Sequence, residues 1–177
     1  MCIRDSLETY GNSFENLKKS FRKFCLNIPF QGKLFANGDY QEVLEVIENL
    51  PRNISLYGFE DINDLQILEF TQNKNGSHFV LFDKKNNNKM NFKTNMIRKH
   101  NILNAAAAIA VALDEGIPYE GIKKALEKFI VIERRFQLIS ENVFEKDIIL
   151  IDDYGHHPKE LLVSINTAKE VLSLIHI

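Results

Sequence analysis

DIILIDDYGHHPKELLVSINTAKEV, Asp147 to Val171, runs from an apolar stretch into two carboxylates, a Tyr-Gly turn, two histidines and a proline that opens a helical pattern. The apolar run Ile148–Ile151 reads as a strand buried on both faces. Pro158 suits a first helical turn, where its missing N–H would have no partner in any case. The junction therefore puts Asp152, Asp153, Tyr154, His156 and His157 at the carboxyl end of a buried strand, the place where open α/β sheets bind their ligands. A plainer reading exists for each residue alone: Asp is a frequent cap and turn former, and histidine near a helix start is commonly a surface residue. Five titratable, polar or aromatic groups at one such junction point instead to a site.

Composition narrows the function classes. The chain has 177 residues, 45% of them hydrophobic, enough to bury a core in one domain or in parts of two. Its net charge of −2 argues against a dedicated nucleic-acid surface, which needs clustered Lys and Arg. Cys2 and Cys25 match neither a disulfide framework nor a zinc pattern, and Cys25 sits among apolar neighbours as a core residue would. No apolar run has the length of a membrane span, so a reducing, cytoplasmic setting without membrane or nucleic-acid partners is the expectation.

Outward from the junction, the chain reads as an α/β protein. A helix is predicted from Ser13 to Leu26, with Phe14, Leu17, Phe21, Phe24 and Cys25 at helical spacing and Ser13 or Asn12 as cap. A short strand over Gly32–Asn37, an amphipathic helix over Gln41–Leu50 stopped by Pro51, and a strand over Ile54–Phe59 form a βαβ unit with parallel strands. LQILEFTQN, SHFVLFDK and KMNFKTN alternate apolar and polar residues between the turn signals Asn75-Gly76 and Asn86–Asn88, which predicts a three-stranded antiparallel meander at the edge.

An alanine-rich helix follows over His100–Asp114, ended by Gly116, and Pro118 opens another that runs through Phe129. Asn101 and Asn104 lie three apart near the start of the first, so their amides project from one side. They either cap the helix or read the edge of a heterocyclic base, since each amide carries a donor and an acceptor. Arg134 and Arg135 are adjacent and face opposite ways if extended; one could form a fork on phosphate or carboxylate, while solvated arginines are the commoner case.

LETYGNSFENL (7–17), HNILNAAAAIAVAL (100–113), ERRFQ (133–137) and above all IDDYGHHP (151–158), in this order, resemble the Mur ligase family over nearly the whole of Leu7–Val171. The resemblance implies an ATP-dependent, Mg²⁺-using amide ligase of peptidoglycan precursor synthesis. It would join L-alanine to UDP-N-acetylmuramate through an acyl phosphate. It also implies that residues 1–131 are the second half of a P-loop ATPase-like central domain, and that residues 132–177 begin a Rossmann-like C-terminal domain with its first strand and helix. The chain is then expected to be an internal fragment, inactive alone, with non-native hexapeptides at residues 1–6 and 172–177.

By position, Asn101 and Asn104 match asparagines that contact adenine, Arg135 an arginine that reaches the nucleotide, and Asp153 an acidic residue near the ribose. Tyr154, His156 and His157 match the catalytic motif that faces phosphate and substrate when the domains close. Departures are visible as well. No G-K-[ST] phosphate loop occurs, Ser6 stands where the family usually has a metal-binding histidine, and Arg98 and Val131 stand where glycine is common. A murein-peptide recycling ligase of the same family is the nearest alternative, although Phe136 and Tyr154-Gly155 favour the alanine-adding type. A metal hydrolase using Asp152, Asp153, His156 and His157, and a non-catalytic nucleotide-binding module, are the readings from other classes.

Overall fold

A computed structural model describes residues 9–129, 137–140, 148–155 and 158–172. Twelve elements follow in order: α1 (Phe14–Leu26), β1 (Lys33–Asn37), α2 (Gln41–Ile47), β2 (Asn53–Gly58), β3 (Leu65–Asn73), β4 (Gly76–Asp83), β5 (Asn88–Thr94), α3 (Lys99–Asp114), α4 (Tyr119–Lys128), β6 (Gln137–Ser140), β7 (Leu150–Asp152) and α5 (Pro158–Leu172). The first five strands make one sheet in sequential order. β1, β2 and the start of β3 are parallel, whereas β3, β4 and β5 are antiparallel. The expected βαβ unit and edge meander are thus one continuous sheet.

The core lies where α3 and α4 cover this sheet. Phe79, Leu81 and Phe92 from the meander are fully buried, as are Ile102 and Ala106 from α3. Phe79 and Phe92 stack at 5.5 Å between centroids, and Tyr119 from α4 meets Phe92 edge-on at 5.4 Å. Alanines at 105, 106 and 110 are buried on α3, and their small side chains let the helix approach the strands closely. α3 ends in a Schellman motif: Gly116 sits at φ +74, its N–H donates to the Leu113 carbonyl, and the Ile117 N–H donates to the Ala112 carbonyl at 2.9 Å.

Two expectations need correction. α2 stops at Ile47 rather than Leu50, because Glu48 is extended and Asn49 is left-handed at φ +52. The Arg22 guanidinium of α1 takes up the freed carbonyls, donating to Val46 O at 2.8 Å and Glu48 O at 2.7 Å. The strand read as buried on both faces is instead half of a two-stranded antiparallel ribbon with β6, and Ile148, Ile149 and Leu150 are exposed.

At the carboxyl ends of β1 and β2 the backbone is tied into a knot. Asp39 accepts from the Phe59 N–H (2.8 Å), the Glu60 N–H (2.9 Å) and the Asn63 side-chain amide (2.9 Å). Asn63 Oδ1 in turn accepts from the Gly38 N–H at 3.1 Å. A side chain at residue 58 would not fit, since a Cβ there would lie 2.2 Å from Asp39 Oδ1. Asp39→Ala leaves two backbone donors and an amide without their acceptor, so it is expected to destabilise the fold by about 2 kcal/mol, seen as a lowered midpoint in urea with an unchanged slope.

Candidate functional site

The parallel strands β1 and β2 both end at this knot, and α3 begins beside it. Between them and α5 lies a cleft of about 520 Å³, lined among others by Asp39, Glu60, Arg98, Lys99, His100 and Asn166. Its position follows from the fold, because the carboxyl edge of a parallel sheet is where loops diverge and leave a crevice. The Lys99 ammonium lies over the Phe59 ring, 4.3 Å from its centroid, and Phe59 meets Phe70 edge-on at 6.2 Å. Asp39 lines this cleft, but its carboxylate is held by the hydrogen bonds of the knot.

Arg98, immediately before α3, connects the two parts of the chain. Its Nη2 donates to Asp153 Oδ2 at 2.6 Å and to Ser164 Oγ at 2.7 Å, joining the end of β7 and the middle of α5. The guanidinium side chain is 7% exposed and that of Asp153 is 17% exposed, so water screens this pair weakly. Arg98 has φ +82, a conformation that costs a non-glycine residue about 1–3 kcal/mol and persists only where surrounding contacts enforce it. Those contacts are present. The Arg98 N–H donates to Gln72 Oε1 at 2.8 Å, and its carbonyl accepts from the Asn101 and Ile102 N–H groups to start the helix.

Asp153 also accepts from the Gly155 N–H through its other oxygen, at 2.8 Å. This is an Asx turn, so the turn-forming reading and the site reading hold for the same side chain. Burial disfavours its charge, yet the Gly155 N–H, the nearby Arg98 charge and the Ser164 hydroxyl outweigh that and hold the carboxyl below its ordinary value of 3.8. Asp152 is half-buried in β7, and Tyr154 is exposed.

The structure distributes the other residues singled out from sequence unevenly. Asn101 is buried, with its side-chain amide donating to the Ile97 carbonyl at 2.8 Å, a bond that is not a helix cap, since a cap accepts from a backbone N–H. Asn104 is exposed on the same helix, and neither asparagine lines the cleft. Arg135, His156 and His157 lie outside the described residues, as does Arg134. Pattern reading missed Ser164 and Gln72 altogether; Arg98 stood out only as a departure from the family's glycine.

Among the described residues no three His, Cys, Asp or Glu side chains come together in a metal-binding group. Asp153 carries a guanidinium on one oxygen and an N–H on the other. No helix among the described residues is long and apolar enough to cross a membrane.

Fold and site together define a mixed α/β protein with a crevice at the carboxyl edge of the parallel strands of its five-stranded sheet. The Mur ligase middle domain matches residues 4–112, and the chain belongs to the Mur ligase family. Over 168 residues it is 38% identical to the UDP-N-acetylmuramate--L-alanine ligase of Psychrobacter arcticus, an overlap that takes in 94% of this chain and 35% of that protein. Over 172 residues it is 40% identical to the protein of the same name from Buchnera aphidicola, again covering 94% of this chain and 35% of the relative. The crystal structure of the UDP-N-acetylmuramate-alanine ligase of Thermotoga maritima has the same fold, with a TM-score of 0.76 and 24% identity over 95% of this chain and 36% of that one. The chain thus spans about a third of the length of the relatives it matches.

The pair at Arg98 makes a titration prediction. Because folding lowers the Asp153 carboxyl below 3.8, its contribution to stability is complete above that pH and is lost as pH falls through the lowered midpoint. Carboxyl-carbon NMR should place the Asp153 midpoint below 3.8, and Arg98→Gln should move it upward.

Proposed function

We propose that these residues are the later part of the ATP-binding domain, together with the start of the following domain, of an ATP-dependent ligase that joins L-alanine to UDP-N-acetylmuramate. The observation that carries the proposal is the docking of Asp153 onto the first turn of α3 through Arg98, at 2.6 Å, in a chain 36–40% identical to ligases of that name. The domains divide near residue 131: residues 1–131 belong to the ATP-binding part and residues 132–177 to the next domain.

In this reading the nucleotide lies at the start of α3. Asn104 offers an exposed amide to the adenine edge and Asn101 holds the turn that presents it, while Asp153 accepts from the ribose hydroxyls and Arg135 reaches the nucleotide from the domain junction. Tyr154, His156 and His157 face the phosphates and the acyl substrate. The muramyl carboxylate oxygen attacks the γ-phosphorus of ATP and ADP leaves; the amine of L-alanine then attacks the acyl carbon and phosphate leaves. These residues contribute by positioning, which is most of what such phosphoryl chemistry requires of a protein. Mg²⁺, where bound, would neutralise phosphate charge. The setting proposed is the cytoplasm, where ATP and UDP-sugars are available.

The test is amide formation by the full-length polypeptide from UDP-N-acetylmuramate and ATP, with L-alanine or a murein tripeptide as the amine. L-alanine is expected to be the preferred acceptor, with one ADP formed per amide. Preference for the tripeptide would assign the chain to the recycling type, and binding of ATP without turnover of either amine would leave only a nucleotide-binding module.

A further inference from the structure

We propose that Arg98 is a positioning residue that latches α5 onto the start of α3 and thereby sets one wall of the cleft of about 520 Å³. The inference deepens the ligase reading and rests on it for the division of the chain near residue 131 and for the nature of the nucleotide. It is carried by the way α5 is seated and by what fastens it there.

α5 turns a polar side toward the rest of the chain. Ser164 and Thr167 lie three apart and so share one side of the helix; Ser164 is half-buried and Thr167 is 5% exposed, whereas Leu161, Leu162, Val163 and Ile165 are exposed. A helix belonging to the core of the five-stranded sheet would bury the leucines and leave the serine and threonine in water. Contact through small polar groups, with apolar side chains left over for other sequence, is the character of an interface between units that part and rejoin. The Thr167 hydroxyl suits that use, because it donates to the Val163 carbonyl of its own helix at 2.8 Å and needs no acceptor across the contact.

The fastening is the Arg98 guanidinium. Its Nη2 donates to Ser164 Oγ at 2.7 Å and to Asp153 Oδ2 at 2.6 Å, so one group grips both α5 and the end of β7. The backbone beneath it is fixed, since Gln72 Oε1 accepts from its N–H and its carbonyl accepts from the Asn101 and Ile102 N–H groups of α3. The cleft is assembled across this contact: Arg98, Lys99 and His100 line it from the start of α3, and Val163, Asn166 and Thr167 line it from α5. Moving α5 removes a wall. A ligand that uses that wall binds only the latched fraction of molecules, and its apparent affinity scales with that fraction.

Small-angle X-ray scattering and steady-state kinetics of the full-length polypeptide test the latch in wild type, Arg98→Gly, Arg98→Lys and Ser164→Ala. At φ +82 glycine is relaxed, so Arg98→Gly removes the guanidinium without straining the backbone that carried it. Without nucleotide, Arg98→Gly is expected to have a larger radius of gyration than wild type, Ser164→Ala a smaller increase, and Arg98→Lys a value nearer wild type. Saturating AMP-PNP should bring all four to the same value. The KM for ATP should rise about tenfold in Arg98→Gly if the latched fraction falls to about a tenth, with more of the effect in KM than in kcat.

Equal radii of gyration for wild type and Arg98→Gly without nucleotide would overturn the proposal. An unchanged KM beside a larger radius would overturn it as well, since α5 would then form no wall that the nucleotide uses. Amide exchange in β3–β5 should be the same in wild type and Arg98→Gly; faster exchange throughout those strands would make Arg98 a support of the sheet and contradict the latch. Absence of ATP-dependent turnover in wild type, with the radii as expected, would locate the failure in the ligase reading and leave the contact between α3 and α5 standing.

Discussion

Asp153 and Arg98 are 55 residues apart in sequence, and their side chains meet at 2.6 Å with little water access. Among the described residues, Arg98 ties the end of β7 through Asp153 and α5 through Ser164 to the start of α3. Deleting one partner alone would leave the other charge poorly solvated, at a penalty of about 3–5 kcal/mol typical of a buried pair that loses one partner. The same pair brings the strain at Arg98 and the Asx turn at Asp153 under one constraint. A backbone that a glycine would adopt freely is held by the contacts of the arginine side chain.

The sheet provides the platform on which that contact works. α3 can begin close to the ends of β1 and β2 because its buried side is alanine, and the Asp39–Asn63 knot keeps those ends from fraying. Apolar side chains remain uncovered in two places. One is α1, where Phe14, Phe21 and Phe24 are exposed; the other is α5 and the ribbon, where Leu161, Leu162, Val163, Ile165 and Leu150 are exposed. Relatives about three times as long as this chain have additional sequence available for such surfaces, and the proposed two-domain parentage accounts for both patches.

Much of the fold was legible because period and punctuation agreed. The alternating stretches of the meander, the Asn-Gly turn between β3 and β4, Ser13 as the cap of α1 and Gly116 as the stop of α3 all lie where elementary stereochemistry requires them. What was not legible is what covers a face. The aromatic stripe of α1 and the isoleucines before Asp152 have the pattern of core residues, and pattern cannot tell a filled neighbour from an empty one. The early end of α2 escaped notice for a related reason, since the group that satisfies its carbonyls, Arg22, lies 24 residues before one of them.

The candidate site was half legible. Asp153 could be placed from the strand-to-turn transition alone, and the paired asparagines from helical spacing. Arg98 could not, because its role depends on a tertiary partner and on a φ value that sequence does not announce. Nor does spacing reveal that Asn101 is buried with its amide turned back on Ile97 while Asn104 faces solvent.

In the proposed ligase, the start of α3 and the corner at Asp153 together bind adenosine. Photolabelling of the full-length polypeptide with 8-azido-ATP, followed by peptide mapping, tests it most directly. Protected by excess ATP, label should fall on peptides containing Lys99–Asn104 or Asp153–Gly155. Label confined to the polar surface around the β3–β4 turn, or spread without protection by ATP, would contradict it.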